Sequence, residues 1–297
     1  MIAPARMFGC GTALVTPFGK DGEIDEPALR ALIEWQIEEG VHFLVPCGST
    51  GEAATMTLAE HRRVVEITVE VARGRVPVMA GAGANDTKRA IALSKEMRAA
   101  GATHLLHVSP MYNKPPQRGI IEHFKAVADA TELPVVVYNV PGRTGSNIEA
   151  ITTLALAKLP HIIAIKEASG NMQQIEAILR ERPSHFAVLS GDDNLTLPVM
   201  TAGGDGIISV ISNATPHLVA RMCELARDKD LEGARAIHER LEPWMRAAFI
   251  ESNPLPVKAA LAMMGKIHNV LRLPLVPMLE MHEHAVREAL VRAGAFE

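Results

Sequence analysis

Cysteines and aromatic residues are scarce in this sequence. Of 297 residues only three are cysteine, and tyrosine and tryptophan occur twice each. The cysteines, Cys10, Cys47 and Cys223, are odd in number and widely spaced, which argues against a disulfide framework and against a zinc site. We therefore expect a reducing, cytoplasmic location and no metal ion. Cys47 is interpreted as a small buried hydrophobic residue.

A strong charge of one sign and a long apolar run are also lacking. The net charge is −4 and the basic residues are dispersed, which argues against nucleic acid as a partner. No apolar run approaches the length needed to span a bilayer, and Met1 to Cys10 lacks the apolar core of a signal peptide. We expect neither membrane insertion nor export. The content of 48% hydrophobic and 22% charged residues is typical of a globular protein.

Short apolar runs rich in β-branched residues recur along the chain, with amphipathic stretches between them. Eight runs predict strands: Gly11 to Val15, Phe43 to Cys47, Pro77 to Gly81, His104 to Ser109, Pro134 to Asn139, Ile162 to Lys166, Phe186 to Ser190, and Gly206 to Val210. The stretches predict helices, among them Glu26 to Glu39, Leu58 to Arg73, Thr87 to Ala100, and Gly119 to Thr131. Continuously apolar strands are typical of parallel sheets covered by helices. The pattern predicts an α/β fold, a (β/α)8 TIM barrel.

The pattern changes after the eighth strand. From Pro216 onward it is helical, with breaks at proline residues. We predict a catalytic barrel over residues 1–230 and a C-terminal helical domain over residues 231–297. In such barrels the active site lies at the C-terminal ends of the strands.

Lys166 closes the apolar run Ile162 to Ile165 and is the first candidate for catalysis. An unperturbed lysine, with a pKa of about 10.4, is almost fully protonated at neutral pH. Burial disfavours the ammonium and releases the neutral amine, which is the nucleophile in Schiff-base chemistry. The alternative is a lysine that reaches solvent and pairs with Glu167.

The segment Gly48 to Glu52 follows a predicted strand and precedes a helix. Its backbone N–H groups and the hydroxyls of Ser49 and Thr50 could bind an anion such as the carboxylate of a 2-oxo acid. The alternative is a capped turn in which the hydroxyls serve only the backbone.

Three further candidates lie at predicted strand ends. Tyr112 and Tyr138 could relay protons around an imine, or they could be an interface residue and a core aromatic, respectively. Arg143 could bind a second carboxylate, or it could form a surface salt bridge.

Other motifs carry less weight. Gly81-Ala82-Gly83 lacks the third glycine of a dinucleotide loop. Asp192 and Asp193 are adjacent and should point apart, so we expect a solvated or capping role rather than a metal site. His282 and His284 do not share a helix face.

Together these motifs resemble the dihydrodipicolinate synthase family, within the class I pyruvate aldolases that include N-acetylneuraminate lyase. The resemblance covers nearly the whole chain, and it rests on Gly48 to Glu52, Tyr138 to Gly145, Ile165 to Glu167, Ser190 to Asp193, Gly206 to Ser209, and Asn253 to Lys258. It implies a homotetramer built as a dimer of dimers.

The resemblance also implies catalytic roles. Lys166 would form the imine with pyruvate and Tyr138 would shuttle protons. Ser49 and Tyr112 would complete the proton relay, with Tyr112 reaching the active site of a neighbouring subunit.

Three residues would bind substrate. Thr50 would bind the pyruvate carboxylate, Ile208 would contact pyruvate through its backbone, and Arg143 would hold a carboxylate at the mouth of the site. The implied substrates are pyruvate and L-aspartate 4-semialdehyde, with 4-hydroxy-tetrahydrodipicolinate as product and no cofactor, because the imine is the electron sink.

Two alternatives stay open. Ser49 stands where this synthase usually carries threonine and sialic-acid lyases carry serine, so a related aldolase, lyase or dehydratase acting on a 2-keto sugar acid is the first. A non-catalytic sensor of 2-oxo acids is the second, although such a sensor needs no imine lysine.

Feedback inhibition by lysine is expected to be weak or absent. At the positions of the family's lysine site, Leu58, Arg89 and Met111 replace polar, acidic and aromatic residues, while His61 and Asn85 remain. The positive charge of Arg89 would repel the ammonium groups of lysine.

Overall fold

Eight parallel strands form the centre of the molecule. The structure, a computed structural model, describes residues 6–296, so residues 1–5 of the predicted barrel and residue 297 of the predicted helical domain lie outside it. The strands are β1 (Gly9–Ala13), β2 (Phe43–Val45), β3 (Met79–Gly81), β4 (His104–Val108), β5 (Val135–Asn139), β6 (Ile162–Glu167), β7 (Ala187–Ser190) and β8 (Gly206–Ser209). Their order is β2-β1-β8-β7-β6-β5-β4-β3, and a parallel bridge between Leu44 and Val78 brings β2 against β3. The sheet therefore closes on itself as a barrel.

Helices alternate with the strands and continue past the last one. They are α1 (Glu26–Glu38), α2 (Leu58–Ala72), α3 (Thr87–Ala99), α4 (Gln117–Ala130), α5 (Pro141–Thr144), α6 (Ala150–Leu156), α7 (Met172–Glu181), α8 (Thr196–Thr201), α9 (Pro216–Arg227), α10 (Leu231–Ala247), α11 (Leu255–Met263) and α12 (Glu283–Ala293). Side-chain caps begin several of them, such as the reciprocal Thr57–Glu60 capping box of α2. The predicted (β/α)8 barrel with C-terminal helices is confirmed, and the domain division at residue 230 stays a prediction.

The first strand begins earlier than the sequence pattern indicates. The prediction of Gly11 to Val15 was wrong by two residues, because β1 pairs with β8 from Gly9 onward. Gly9 lies opposite Gly206, and a Cβ atom on Gly206 would come within 2.1 Å of the Gly9 carbonyl oxygen. Glycine weakens an ordinary strand, so its use here reflects this close approach of two backbones.

Two apolar layers stabilise the barrel, one inside it and one between the strands and the helices. Side chains inside it include Phe43, Met79, Leu106, Val136, Ala164, Leu189 and Ile208. Larger clusters fill the space between the sheet and the helices and extend to α10, α11 and α12. The interior packing leaves the C-terminal ends of the strands as the place where polar side chains can converge.

Candidate active site

Lys166 lies near the C-terminal end of β6 and is only 5% exposed. Its register partner on β5 is Tyr138. Burial lowers the pKa of Lys166 to about 8, although the charges of Asp193 and Asp192 oppose the shift. Lys166 forms no ion pair with any residue in 6–296. The structure thus presents a buried amine that is partly neutral near pH 8.

Tyr138 lies beside this amine. The Lys166 nitrogen is 4.3 Å from the centroid of the Tyr138 ring. Burial raises the pKa of Tyr138 to about 12, with the positive charge of Arg143 acting in the opposite direction. The phenol therefore keeps its proton at neutral pH and can donate it to a neighbouring oxygen or nitrogen.

Asp193 was expected to be solvated or to cap a helix, and the expectation of a solvated side chain was wrong. The side chain is 2% exposed and accepts hydrogen bonds from the Ser209 hydroxyl at 2.5 Å and the Val210 backbone N–H at 3.1 Å. Burial raises its pKa to about 6. The charge of Asp193 also raises the pKa of Lys166. Asp192 is the more accessible of the two.

The loop between β2 and α2 places Thr50 in a buried position. Cys47 and Glu52, on either side of it, have φ values of 58° and 57°, which are uncommon for residues other than glycine. The Asn253 side-chain N–H donates to Thr50 Oγ1 at 2.9 Å. Because that oxygen accepts from Asn253, its own proton is free to donate to a carboxylate.

A fully buried ion pair supports this loop, and it was not recognised as such in the sequence. The Lys258 amine donates to Glu52 Oε1 at 2.6 Å and to the Thr16 carbonyl at 2.9 Å. Both side chains of the pair have 0% exposure. Lys258 is a single cation in the apolar segment Leu255 to Leu261. That is the signal by which Lys166 was found, so it could have drawn attention to Lys258.

Arg143 lies on α5, and Ile208 lies on β8. Arg143 is exposed, and its guanidinium donates to the Asn253 carbonyl at 3.4 Å. No carboxylate among residues 6–296 forms a salt bridge with Arg143, so the predicted alternative of a surface salt bridge is not seen in the described chain. Ile208 is fully buried inside the barrel. Asn253, which has contacts with both Thr50 and Arg143, was named in the sequence only as part of a motif.

Ser49 and Tyr112 are not joined to these groups by hydrogen bonds. Both are exposed, Tyr112 by 88%. Neither hydroxyl has a hydrogen-bond partner within the described residues. The Tyr112 backbone has φ 70°, and its N–H donates to the Thr144 carbonyl at 3.0 Å. The hydrogen bond to Thr144 thus holds the Tyr112 loop next to Arg143. The Tyr112 side chain itself is left exposed.

The described residues contain neither a metal-binding cluster nor a membrane-spanning helix. Between residues 6 and 296 no group of three or more His, Cys, Asp or Glu side chains could hold a metal ion. No helix in that part of the chain is long and apolar enough to cross a bilayer.

Comparison with known proteins gives full-length matches. Residues 6–293 match the model of the dihydrodipicolinate synthetase family. A 4-hydroxy-tetrahydrodipicolinate synthase of Koribacter versatilis is 50% identical over 293 residues, 98% of each chain. The synthase of Maridesulfovibrio salexigens is 49% identical over 287 residues, which cover 96% of this chain and 98% of that protein.

A solved structure agrees over the same length. The crystal structure of the chloride-inhibited dihydrodipicolinate synthase from Acinetobacter baumannii complexed with pyruvate has a TM-score of 0.96 to this chain at 42% identity. The match covers 97% of this chain and 99% of that one. It includes the C-terminal helices as well as the barrel.

Proposed function

Since the chain belongs to the dihydrodipicolinate synthetase family, we propose that the residues described above carry out the pyruvate condensation of lysine and diaminopimelate biosynthesis. The protein is a class I, Schiff-base-forming, pyruvate-dependent lyase. Its substrates are pyruvate and L-aspartate 4-semialdehyde, and its product is 4-hydroxy-tetrahydrodipicolinate. The assignment of roles rests on the buried amine of Lys166, which has no ion pair within residues 6–296 and lies beside the phenol of Tyr138.

The amine attacks C2 of pyruvate, and loss of water gives an imine. Tyr138 donates the proton that lets the water leave, and it relays protons with Ser49 and with Tyr112 of a neighbouring subunit. The imine withdraws electrons from C3, so a C3 proton leaves and an enamine forms. The enamine carbon then attacks the aldehyde. Finally the amino group of the aldehyde substrate attacks C2, which closes the ring and releases Lys166.

Binding of the two carboxylates is divided between two parts of the site. The free hydroxyl proton of Thr50 and the backbone of Ile208 hold pyruvate. Arg143 has no carboxylate partner within residues 6–296. It binds the carboxylate of the aldehyde substrate at the mouth of the site. The imine itself draws the electrons, so this chemistry requires no metal or organic cofactor.

The assembly is a homotetramer, a dimer of dimers. The 88% exposure of Tyr112 supports this, because a side chain that acts in a neighbouring subunit must leave its own surface. Three free, buried cysteines support a reducing cytoplasmic location.

Turnover with different aldehydes tests this function. We expect efficient condensation of pyruvate with L-aspartate 4-semialdehyde and little with the aldehydes of 2-keto sugar acids, the alternative that Ser49 favours. Arg143→Ala should raise KM for the semialdehyde by about 10- to 100-fold, the equivalent of a charged hydrogen bond of about 1.5–3 kcal/mol. KM for pyruvate should stay within about threefold of native.

Arg118→Ala, which removes an exposed arginine on α4, is the matched control. Preference for a sugar-acid aldehyde would contradict the assigned substrate. Absence of turnover with every aldehyde would favour the sensor.

A further inference from the structure

A buried polar pair lies directly behind Lys166 and Tyr138. In the register of β5 and β6, Tyr138 is opposite Lys166, and the next residues, Asn139 and Glu167, are opposite each other. Successive strand residues point to opposite faces of a sheet. Asn139 and Glu167 therefore face the helix layer, where they are 0% and 1% exposed. The proposed mechanism gives neither of them a role.

The Glu167 carboxylate accepts hydrogen bonds from several N–H donors. Asn139 Nδ2 lies 3.1 Å from Oε1 and 3.2 Å from Oε2. The Ser169 backbone N–H donates to Oε1 at 2.8 Å, and Gln174 Nε2 donates to Oε2 at 3.0 Å. Within residues 6–296 no lysine, arginine or histidine pairs with Glu167. The arrangement thus requires an acceptor at both oxygens, which a carboxylate provides and an amide does not.

Asn139 extends this network to neighbouring segments. Its Oδ1 accepts from the Ile148 backbone N–H at 2.9 Å, and its Nδ2 donates to Asn147 Oδ1 at 2.8 Å. The Glu167 carbonyl also accepts from the Gly191 N–H at 2.7 Å. The C-terminal ends of β5 and β6 are therefore bound to each other and to the segments that follow β5 and β7.

We propose that Asn139 and Glu167 are positioning residues, which hold the strand ends in register so that the Lys166 amine and the Tyr138 phenol stay within proton-transfer geometry. The inference rests on the proposed function. Its physical basis is that a displacement of about 1 Å in a reacting group can slow a reaction about 100-fold. Two hydrogen-bonded residues, each next in the chain to a catalytic residue, prevent such a displacement.

Glu167→Gln tests the inference with little change in volume. It places an amide NH2 against two donors, so one of the two oxygen sites loses its acceptor. The readout is exchange of the pyruvate methyl protons for deuterium in D2O, which reports imine and enamine formation without the aldehyde. We expect exchange to slow about 10- to 100-fold. KM for pyruvate should change less than about threefold, because this pair does not contact the carboxylate-binding residues.

Three further variants distinguish a positioning role from a general loss of packing. Gln174→Leu removes one donor from a half-buried position, so it should fold and slow exchange less than Glu167→Gln. Asn139→Asp combined with Glu167→Gln exchanges acid and amide and should recover part of the lost rate. Ile178→Val removes a buried methyl group from α7 and should leave exchange at the native rate.

Native exchange in both Glu167→Gln and Gln174→Leu would overturn the inference. The inference would also be overturned if Ile178→Val slowed exchange as much as Glu167→Gln does. A rise in KM for pyruvate as large as the fall in exchange rate would overturn it as well. Borohydride trapping of the native chain with pyruvate separates this from failure of the proposed function. If the native chain forms an adduct and the variants exchange at the native rate, the positioning role is refuted and the proposed function stands. If the native chain forms no adduct, both are refuted.

Discussion

The amine of Lys166 lies 4.3 Å from the centre of the Tyr138 ring, on the inner face of two adjacent strands. A ring at this distance favours the ammonium form, and so do Asp192 and Asp193. Burial acts against them and is the largest effect, so the pKa falls to about 8. At pH 7 about one molecule in ten therefore carries the neutral amine, compared with fewer than about one in a thousand for an exposed lysine.

The rate of imine formation should follow this pKa. The neutral fraction of Lys166 rises with pH until the pH passes the pKa of the folded protein. With pyruvate in excess, the initial rate of borohydride-trapped adduct should rise about tenfold per pH unit below about 8 and level off above it. A rate that keeps rising beyond pH 10 would show that the lysine behaves as an exposed one.

Thr50→Val should weaken pyruvate binding. The substitution keeps the shape but removes the hydroxyl that bonds Asn253 and is free to donate to a carboxylate. We expect KM for pyruvate to rise about 10- to 100-fold, the equivalent of about 1.5–3 kcal/mol. Thr55→Val is the matched control, because the Thr55 hydroxyl donates to the Glu52 carbonyl. Equal KM values for the two variants would remove Thr50 from the pyruvate site.

Lys258→Met should destabilise the protein by about 3–5 kcal/mol, because it leaves the buried Glu52 carboxylate without its cation. Urea unfolding of the native and variant chains measures the difference. Adding Glu52→Gln to Lys258→Met removes the unpaired charge and should recover most of the loss. A double variant as unstable as Lys258→Met would mean that packing, rather than the ion pair, supports this loop.

Lysine should inhibit the enzyme weakly or not at all. Leu58 and Met111 are exposed apolar residues at 55% and 38%, and Arg89 adds a positive charge where lysine would bring two ammonium groups. His61 is retained, but its Nε2 is engaged with the Gly81 carbonyl at 2.8 Å. Steady-state turnover in millimolar lysine should equal turnover without it. Half-inhibition in that range would disprove this prediction.

Features of the site that depend on local sequence could be predicted. The eight apolar runs located every strand to within two residues at each end, and only β1 is displaced at both ends. Because the carboxyl ends of barrel strands meet at one face, locating the strands also located Lys166 and Tyr138. The error at β1 arose from Gly9, which looks like a strand breaker in the sequence but allows its backbone to approach that of Gly206.

Features that depend on distant contacts could not be predicted. Asn253 is 203 residues from Thr50, and Lys258 is 206 residues from Glu52, so nothing in the local pattern indicates either pair. The burial of Asp193 likewise depends on β8, which supplies the Ser209 hydroxyl. Strand alternation indicated that Asp192 and Asp193 point apart, but it could not tell which of them the chain would bury.

Covalent trapping of pyruvate tests the central claim, that Lys166 is the imine-forming amine. The native protein is incubated with pyruvate and borohydride, and the modified residue is located by peptide mass spectrometry. Lys114→Arg changes an exposed lysine and is the matched control for Lys166→Arg. We expect a single adduct on Lys166 in the native and Lys114→Arg chains and none in Lys166→Arg. No adduct in the native chain, or an adduct that persists in Lys166→Arg, would contradict the claim.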